Sequence, residues 1–353
     1  MQKEIVENNE RSLWLDVLRV LSSLAVVVIH VSARLWIAGQ ALCWEISNIF
    51  DGMVRWAVPI FVMISGALFL DKEISVKKVW CKYIVRLVAA FVFWSIVYAV
   101  VMHGEEGISA VIKAAINGHY HMWYIKMILG IYMITPILRC VVKFENIVKY
   151  FLVLSLSFSF ILPYVADVIA FLPKPISFFA DILESMLNSV SIQLTAGYVS
   201  YFLAGYYLSR ADISIKLKKC IYGLGICGFG TTIIGTTLLY HSLQEKSEFF
   251  YGYLTLNVML QSICVFVFAR SKLSVVKVSS KVKSILTKMS RCSFGVYLVH
   301  VLVLEIVFAM LKVDTSSVYI AIFIPLIAML VWGISMLIAI FMHKIPIVKK
   351  YLV

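Results

Sequence analysis

The sequence predicts an all-α polytopic membrane protein of about ten transmembrane helices with both termini cytoplasmic, and three observations predict it. Apolar residues make up 62% of the 353 and charged residues only 14%, with a mean hydropathy of +0.94, far from the composition of a soluble domain. Hydrophobic runs of about 18 residues or more recur along the chain, separated by short, mostly basic intervals. The basic residues behind the net charge of +13 fall on alternate intervals rather than in one patch.

The runs cover residues 13–37, 52–71, 83–102, 122–139, 150–172, 190–209, 219–240, 252–270, 293–311 and 318–342. Pro163 in the fifth, and Pro325 and Gly333 in the tenth, predict kinks. Residues 1–12 and 343–353 are then short cytoplasmic tails around one ten-helix membrane domain, 13–342. The intervals 103–121 and 173–189 can hold a re-entrant piece or a surface helix but not a domain. No secretory signal peptide is visible, because the first run is long and interrupted by Asp16 and Arg19.

With the N-terminus inside, the inner side collects 24 of the 32 Lys and Arg residues. Only Arg34, Lys113, Lys174, Lys246 and Lys312 fall outside, while Arg19, Arg55 and Lys126 lie within runs. This is the positive-inside pattern of a multi-pass membrane protein, expected in the plasma (bacterial inner) membrane, and it speaks against a nucleic-acid partner. The inner interval 272–291 reads as a basic amphipathic helix on the anionic leaflet, whose lysines can also draw a polyanion from the cytosol. Seven cysteines without a C-x-x-C pair offer neither a disulfide framework nor a metal cluster.

The first run carries the chemistry. Arg19 and His30 stand eleven residues apart, which on a helix returns His30 to within roughly 20° of Arg19 and about 16 Å further along the axis. Asp16, Ser23 and Arg34 fall within about 40° of the same direction. Ionisable groups at membrane depth cost roughly 3 kcal/mol or more each unless they face protein or a wet cavity, so the stripe argues for a functional cavity. His30 is the candidate general base. Asp16 and Arg19 can pair along the helix, and Arg19 suits phosphate oxygens.

Other candidates are weaker. Arg55 opens the second run behind Asp51, and either snorkels outward or serves a site. Ser65-Gly66 further along that run permits close backbone approach. His119, Tyr120 and His121 precede Trp123 and Tyr124, where aromatic belt residues are expected but two histidines are not. His-x-His without a third ligand is poor evidence for zinc, and no metal is expected. Lys126 is read as snorkelling to the outer surface, and for His300 packing and function are evenly balanced.

Taken together and in this order, the motifs resemble the membrane-bound acyltransferase 3 family. The resemblance rests on Arg19-x10-His30 within Leu15-Asp16-Val17-Leu18-Arg19-Val20, and on Val58-Pro59-Ile60-Phe61 with Ser65-Gly66-Ala67-Leu68. It continues with His121-Met122-Trp123-Tyr124 followed by Tyr132 and Thr135-Pro136, then Phe202-Leu203-Ala204-Gly205-Tyr206 and Gly295-Val296-Tyr297-Leu298-Val299-His300. It implies an enzyme that takes an acyl group, usually acetyl, from cytoplasmic acyl-CoA and passes it to a hydroxyl of a cell-envelope glycan or lipid-linked sugar. By position it implies that His30 and Arg19 are essential; Asp16, on the same stripe, is the third catalytic candidate. From their positions in the sequence, Arg34, Arg55, Ser65, His121, Trp123 and His300 are the candidates to surround the substrates. Many relatives carry a fused extracytoplasmic esterase-like domain, so this chain is expected to act directly or to serve a separate extracytoplasmic transferase. A small-solute (amino-acid) transporter and an accessory polysaccharide exporter are the competing readings; neither needs acyl-CoA.

Overall fold

An apolar run inside a bilayer must satisfy its own backbone hydrogen bonds, and a helix does so within one segment. The computed structural model describes residues 12–38, 41–190, 192–311 and 319–353, and among these every regular element is helical. In chain order they are α1 (Leu13–Ala38), α2 (Ala41–Gly52), α3 (Ala57–Phe69), α4 (Val85–His103) and α5 (Ile108–Asn117). Then come α6 (Trp123–Val141), α7 (Glu145–Ser155), α8 (Leu162–Ala170), α9 (Phe178–Val190) and α10 (Ile192–Arg210). The chain continues as α11 (Ile215–Leu243), α12 (Leu256–Leu273), α13 (Ser280–Leu311), α14 (Ile320–Met342) and α15 (Pro346–Tyr351).

Among the described residues nine helical stretches are long and apolar enough to cross a membrane, and they coincide with nine of the ten runs. The remaining run, 190–209, corresponds to α10, which has a non-helical residue at Gly197 and begins next to residue 191, outside the described set. The first eleven residues, and Lys312 with its neighbours, lie outside that set as well. The disturbance expected near Pro163 takes the form of a π-helical stretch, Leu156–Ile161, between α7 and α8. In contrast, α14 continues through Pro325 and Gly333. The two long outer intervals hold surface helices, α5 and α9; α5 turns Ile108, Ile112 and Ile116 outward.

One expectation needs correction. Residues 280–291 do not form a separate surface helix but are the opening turns of α13, continuous with the apolar run 293–311. The tie is visible at Thr287, whose hydroxyl donates to the Asp16 carboxylate on α1 at 2.9 Å. Residues 343–353 also pack closely: Trp94 Nε1 on α4 donates to the Leu352 carbonyl at 3.2 Å, Arg86 donates to the Val353 carbonyl, and Val353 is buried.

Helix α1 lies at the centre, packed against α2, α3, α13 and α14. Trp332 on α14 donates to Ser23 on α1 at 2.9 Å, tying α14 to the polar stripe of the first helix. On the other side of the bundle α3 and α10 meet backbone to backbone. A Cβ at Gly66 would stand 1.8 Å from the Phe202 carbonyl oxygen, and one at Gly205 would stand 2.0 Å from that of Met63. Both neighbours are main chain and cannot swing away. Gly66→Ala and Gly205→Ala are therefore each expected to destabilise the protein by ~3 kcal/mol or more, read as an earlier thermal unfolding transition in detergent.

Candidate active site

A cavity of about 470 Å³ runs along α1 between α3, α4, α6 and α13. Arg19 and His30 both line it, as the eleven-residue spacing on one helix face predicts. Ser65, His121 and Trp123 line it too. The other predicted residues are placed differently. His300 is fully buried and does not line the cavity. Asp16 is buried at the start of α1 and accepts the Thr287 hydrogen bond, outside the lining. Arg34 pairs with Glu305 of α13 at 3.1 Å, near the end of α1. Arg55 does not snorkel: it is held by Asp51 at 2.6 Å and lies 4.0 Å over the Tyr251 ring. That ion pair sits behind the cavity wall and not on it.

The two ends of the cavity differ in chemistry. Toward the start of α1 the lining gathers Arg19, Arg86, Arg291, Lys349 and His343. These residues come from α1, the beginning of α4, the beginning of α13 and the segment after α14, which the alternating direction of the spans brings to one end. Along the cavity Tyr83, Tyr124, Tyr132 and Phe294 form aromatic walls, and Ser65 donates back to the Phe61 carbonyl at 2.8 Å. Among the described residues no Asp or Glu lines the cavity. Such a lining attracts polyanions and repels nothing negative.

Toward the other end four of the seven histidines, His30, His119, His121 and His300, converge. The ring centroids of His30 and His300 are 4.9 Å apart, those of His121 and His300 5.4 Å, and those of His30 and His121 6.4 Å. His119 Nδ1 lies 2.9 Å from His121 Nδ1, so one of the two donates and the other accepts. The Tyr120 hydroxyl approaches His30 Nδ1 at 3.4 Å, and Tyr297 donates to the His121 carbonyl at 2.8 Å. Trp123 stacks on Tyr253, with centroids 5.5 Å apart, making a flat aromatic face on the cavity wall beside the cluster. Among the described residues no group of three or more His, Cys, Asp or Glu is disposed to hold a metal ion.

Sequence reasoning missed several of these residues. Arg86, Arg291 and Lys349 counted only as inner-loop charge, and Glu305 drew no notice as the partner of Arg34. The signal for Asp51–Arg55 was present, since an acid and an arginine four apart share a helix face.

The model of the acyltransferase 3 family, described as an acyltransferase domain, matches residues 12–342, nearly the whole chain. The chain belongs to this family. Its membership of the acyltransferase 3 family makes it an acyltransferase built from membrane-spanning helices, and the cavity lies within the matched region. Comparison with curated proteins and with solved structures gives no match.

Proposed function

We propose that the protein moves an acyl group, acetyl foremost, from cytoplasmic acyl-CoA to a hydroxyl of a cell-envelope glycan or lipid-linked sugar, in the inner membrane of a bacterium. The observation that carries this reading is the polarity of one continuous cavity, with Arg19, Arg86, Arg291 and Lys349 at one end and His30 and His121 at the other. The nucleotide end of acyl-CoA is a cluster of phosphates, and guanidinium groups grip phosphate through paired hydrogen bonds. The pantetheine arm is long and thin, and the aromatic walls between Arg19 and His30 suit such an arm. The carboxylate-free lining keeps every phosphate contact favourable.

At the far end His30 acts as general base. It takes the proton of the acceptor hydroxyl as that oxygen attacks the thioester carbonyl. The C–O bond forms, the C–S bond breaks, and the proton passes to the sulfur of CoA. A transient acyl-His30, formed and then attacked by the hydroxyl, uses the same residues. The Trp123–Tyr253 face offers a sugar ring an apolar surface to lie on, while Arg34 and Glu305 stand at the mouth beyond His30. The positive-inside pattern supports a cytosolic position for the arginine-rich end, so the acceptor approaches from the other side. A separate extracytoplasmic transferase can then take over the group.

The test uses sealed membrane vesicles of known orientation with labelled acetyl-CoA supplied on one face and envelope acceptors on the other. Label is expected in the acceptor only when acetyl-CoA meets the cytoplasmic face. Transfer that requires both substrates on the cytoplasmic face overturns the transmembrane arrangement, and no transfer in any orientation overturns the acyl-CoA reading.

A further inference from the structure

Two buried imidazole nitrogens close to His30 have no hydrogen-bond partner among the described residues: Nε2 of His121 and Nε2 of His300. A polar atom sealed from water without a partner costs roughly 1–3 kcal/mol, so each calls for an explanation. For His121 the tautomer is open, because its Nδ1 faces another imidazole. For His300 it is decided. Its Nδ1 lies 2.7 Å from the Tyr297 carbonyl oxygen, which only accepts, so Nδ1 carries the proton. In the neutral ring Nε2 is then a bare lone pair, inside a side chain with no exposed surface.

That lone pair stands beside the proposed base. The His30–His300 separation of 4.9 Å is the shortest between histidine rings in the cluster. Two imidazoles joined by an N–H···N bond of about 2.9 Å have centroids about 5 Å apart, so a small ring rotation completes the contact. Hydrogen bonds of this kind are commonly misaligned before substrate binds. The Tyr120 hydroxyl is a poorer partner for His30, being 3.4 Å away on a side chain that is 60% exposed.

We infer that His300 is a positioning residue for His30. Its Nε2 accepts a hydrogen bond from one ring N–H of His30 and thereby leaves the other ring nitrogen unprotonated toward the reacting hydroxyl. The inference rests on the acyl-transfer reading above. During transfer the unprotonated nitrogen takes the hydroxyl proton as the C–O bond forms, then delivers it to sulfur as the C–S bond breaks. The N–H given to His300 stays in place and strengthens while His30 carries positive charge. Tyr297 is what holds the device rigid: its carbonyl sets the His300 tautomer, and its hydroxyl is tied to the His121 carbonyl.

The experiment compares His300→Leu, His300→Phe and His300→Gln with the wild type in native membranes. Each of the first two is expected to lower kcat about a hundredfold with KM for acetyl-CoA unchanged, and the phenylalanine variant keeps the ring volume should leucine disturb packing. The glutamine variant restores an acceptor oxygen and is expected to recover most of the lost turnover. Equal loss in all three variants, a loss confined to KM, or unchanged turnover overturns the inference. A second readout does not depend on acetyl-CoA. Nitrogen-15 spectra of histidine-labelled protein in bilayers should show one His30 tautomer in the wild type and a mixture in His300→Leu. A His30 signal indifferent to the substitution overturns the inference on its own. Absence of transfer by the wild type, with the tautomer shift present, counts against the acyl-CoA reading alone.

Discussion

His30→Ala is expected to abolish acyl transfer while leaving the protein inserted and stable. His30 lines the cavity and is only partly buried, so its removal enlarges a space that is already open and leaves no core void. General-base catalysis contributes about 10²–10⁴-fold, so labelled acetyl incorporation should fall at least about a hundredfold. The check is transfer from labelled acetyl-CoA alongside membrane abundance and thermal unfolding. A well-expressed His30→Ala protein with wild-type transfer would remove the basis of the proposed mechanism.

Arg19→Lys is expected to be nearly as damaging as Arg19→Ala. Arg19 lies on the cavity wall within the basic end, with Arg86, Arg291 and Lys349 in the same lining. A guanidinium offers two parallel donors to a phosphate or carboxylate, whereas an ammonium is a compact point charge. Losing one charged hydrogen bond costs about 1.5–3 kcal/mol, which is about 10- to 100-fold in acyl-CoA affinity. Titration of purified protein with acetyl-CoA measures this directly. An Arg19→Lys variant that binds as tightly as the wild type shows that charge alone suffices.

Much of the fold was legible because helix length and apolar composition are properties of single segments. The same holds for Arg19 and His30, since the 3.6-residue period places both on one face whatever packs against it. What needed the structure is contact between distant segments. His300 could be read as packing or function with equal reason; the observation that favours function is the 4.9 Å between its ring and that of His30, and it needs the structure. Arg86, Arg291 and Lys349 looked like ordinary inner-side charges until the helix ends were brought around one opening. Arg34 looked available for substrate, yet its Glu305 partner lies 271 residues further on, beyond the reach of any periodicity. The amphipathic pattern of 280–291 was real, but pattern alone does not say whether such a helix stops or continues into the membrane.

The same long separations bear on how the protein is made. Asp16 and Arg34 of the first helix meet Thr287 and Glu305 across 271 residues each, because α13 comes late in the chain. Until those 271 residues have been made, therefore, α1 waits for these two late partners, with charged groups on a face that lipid solvates poorly. A nascent chain halted before α13 holds that face without them. Assembly of the first helix thus completes only once α13 has been made, and a fragment comprising only the early spans is a poor unit for study or for export of the fold into a shorter protein.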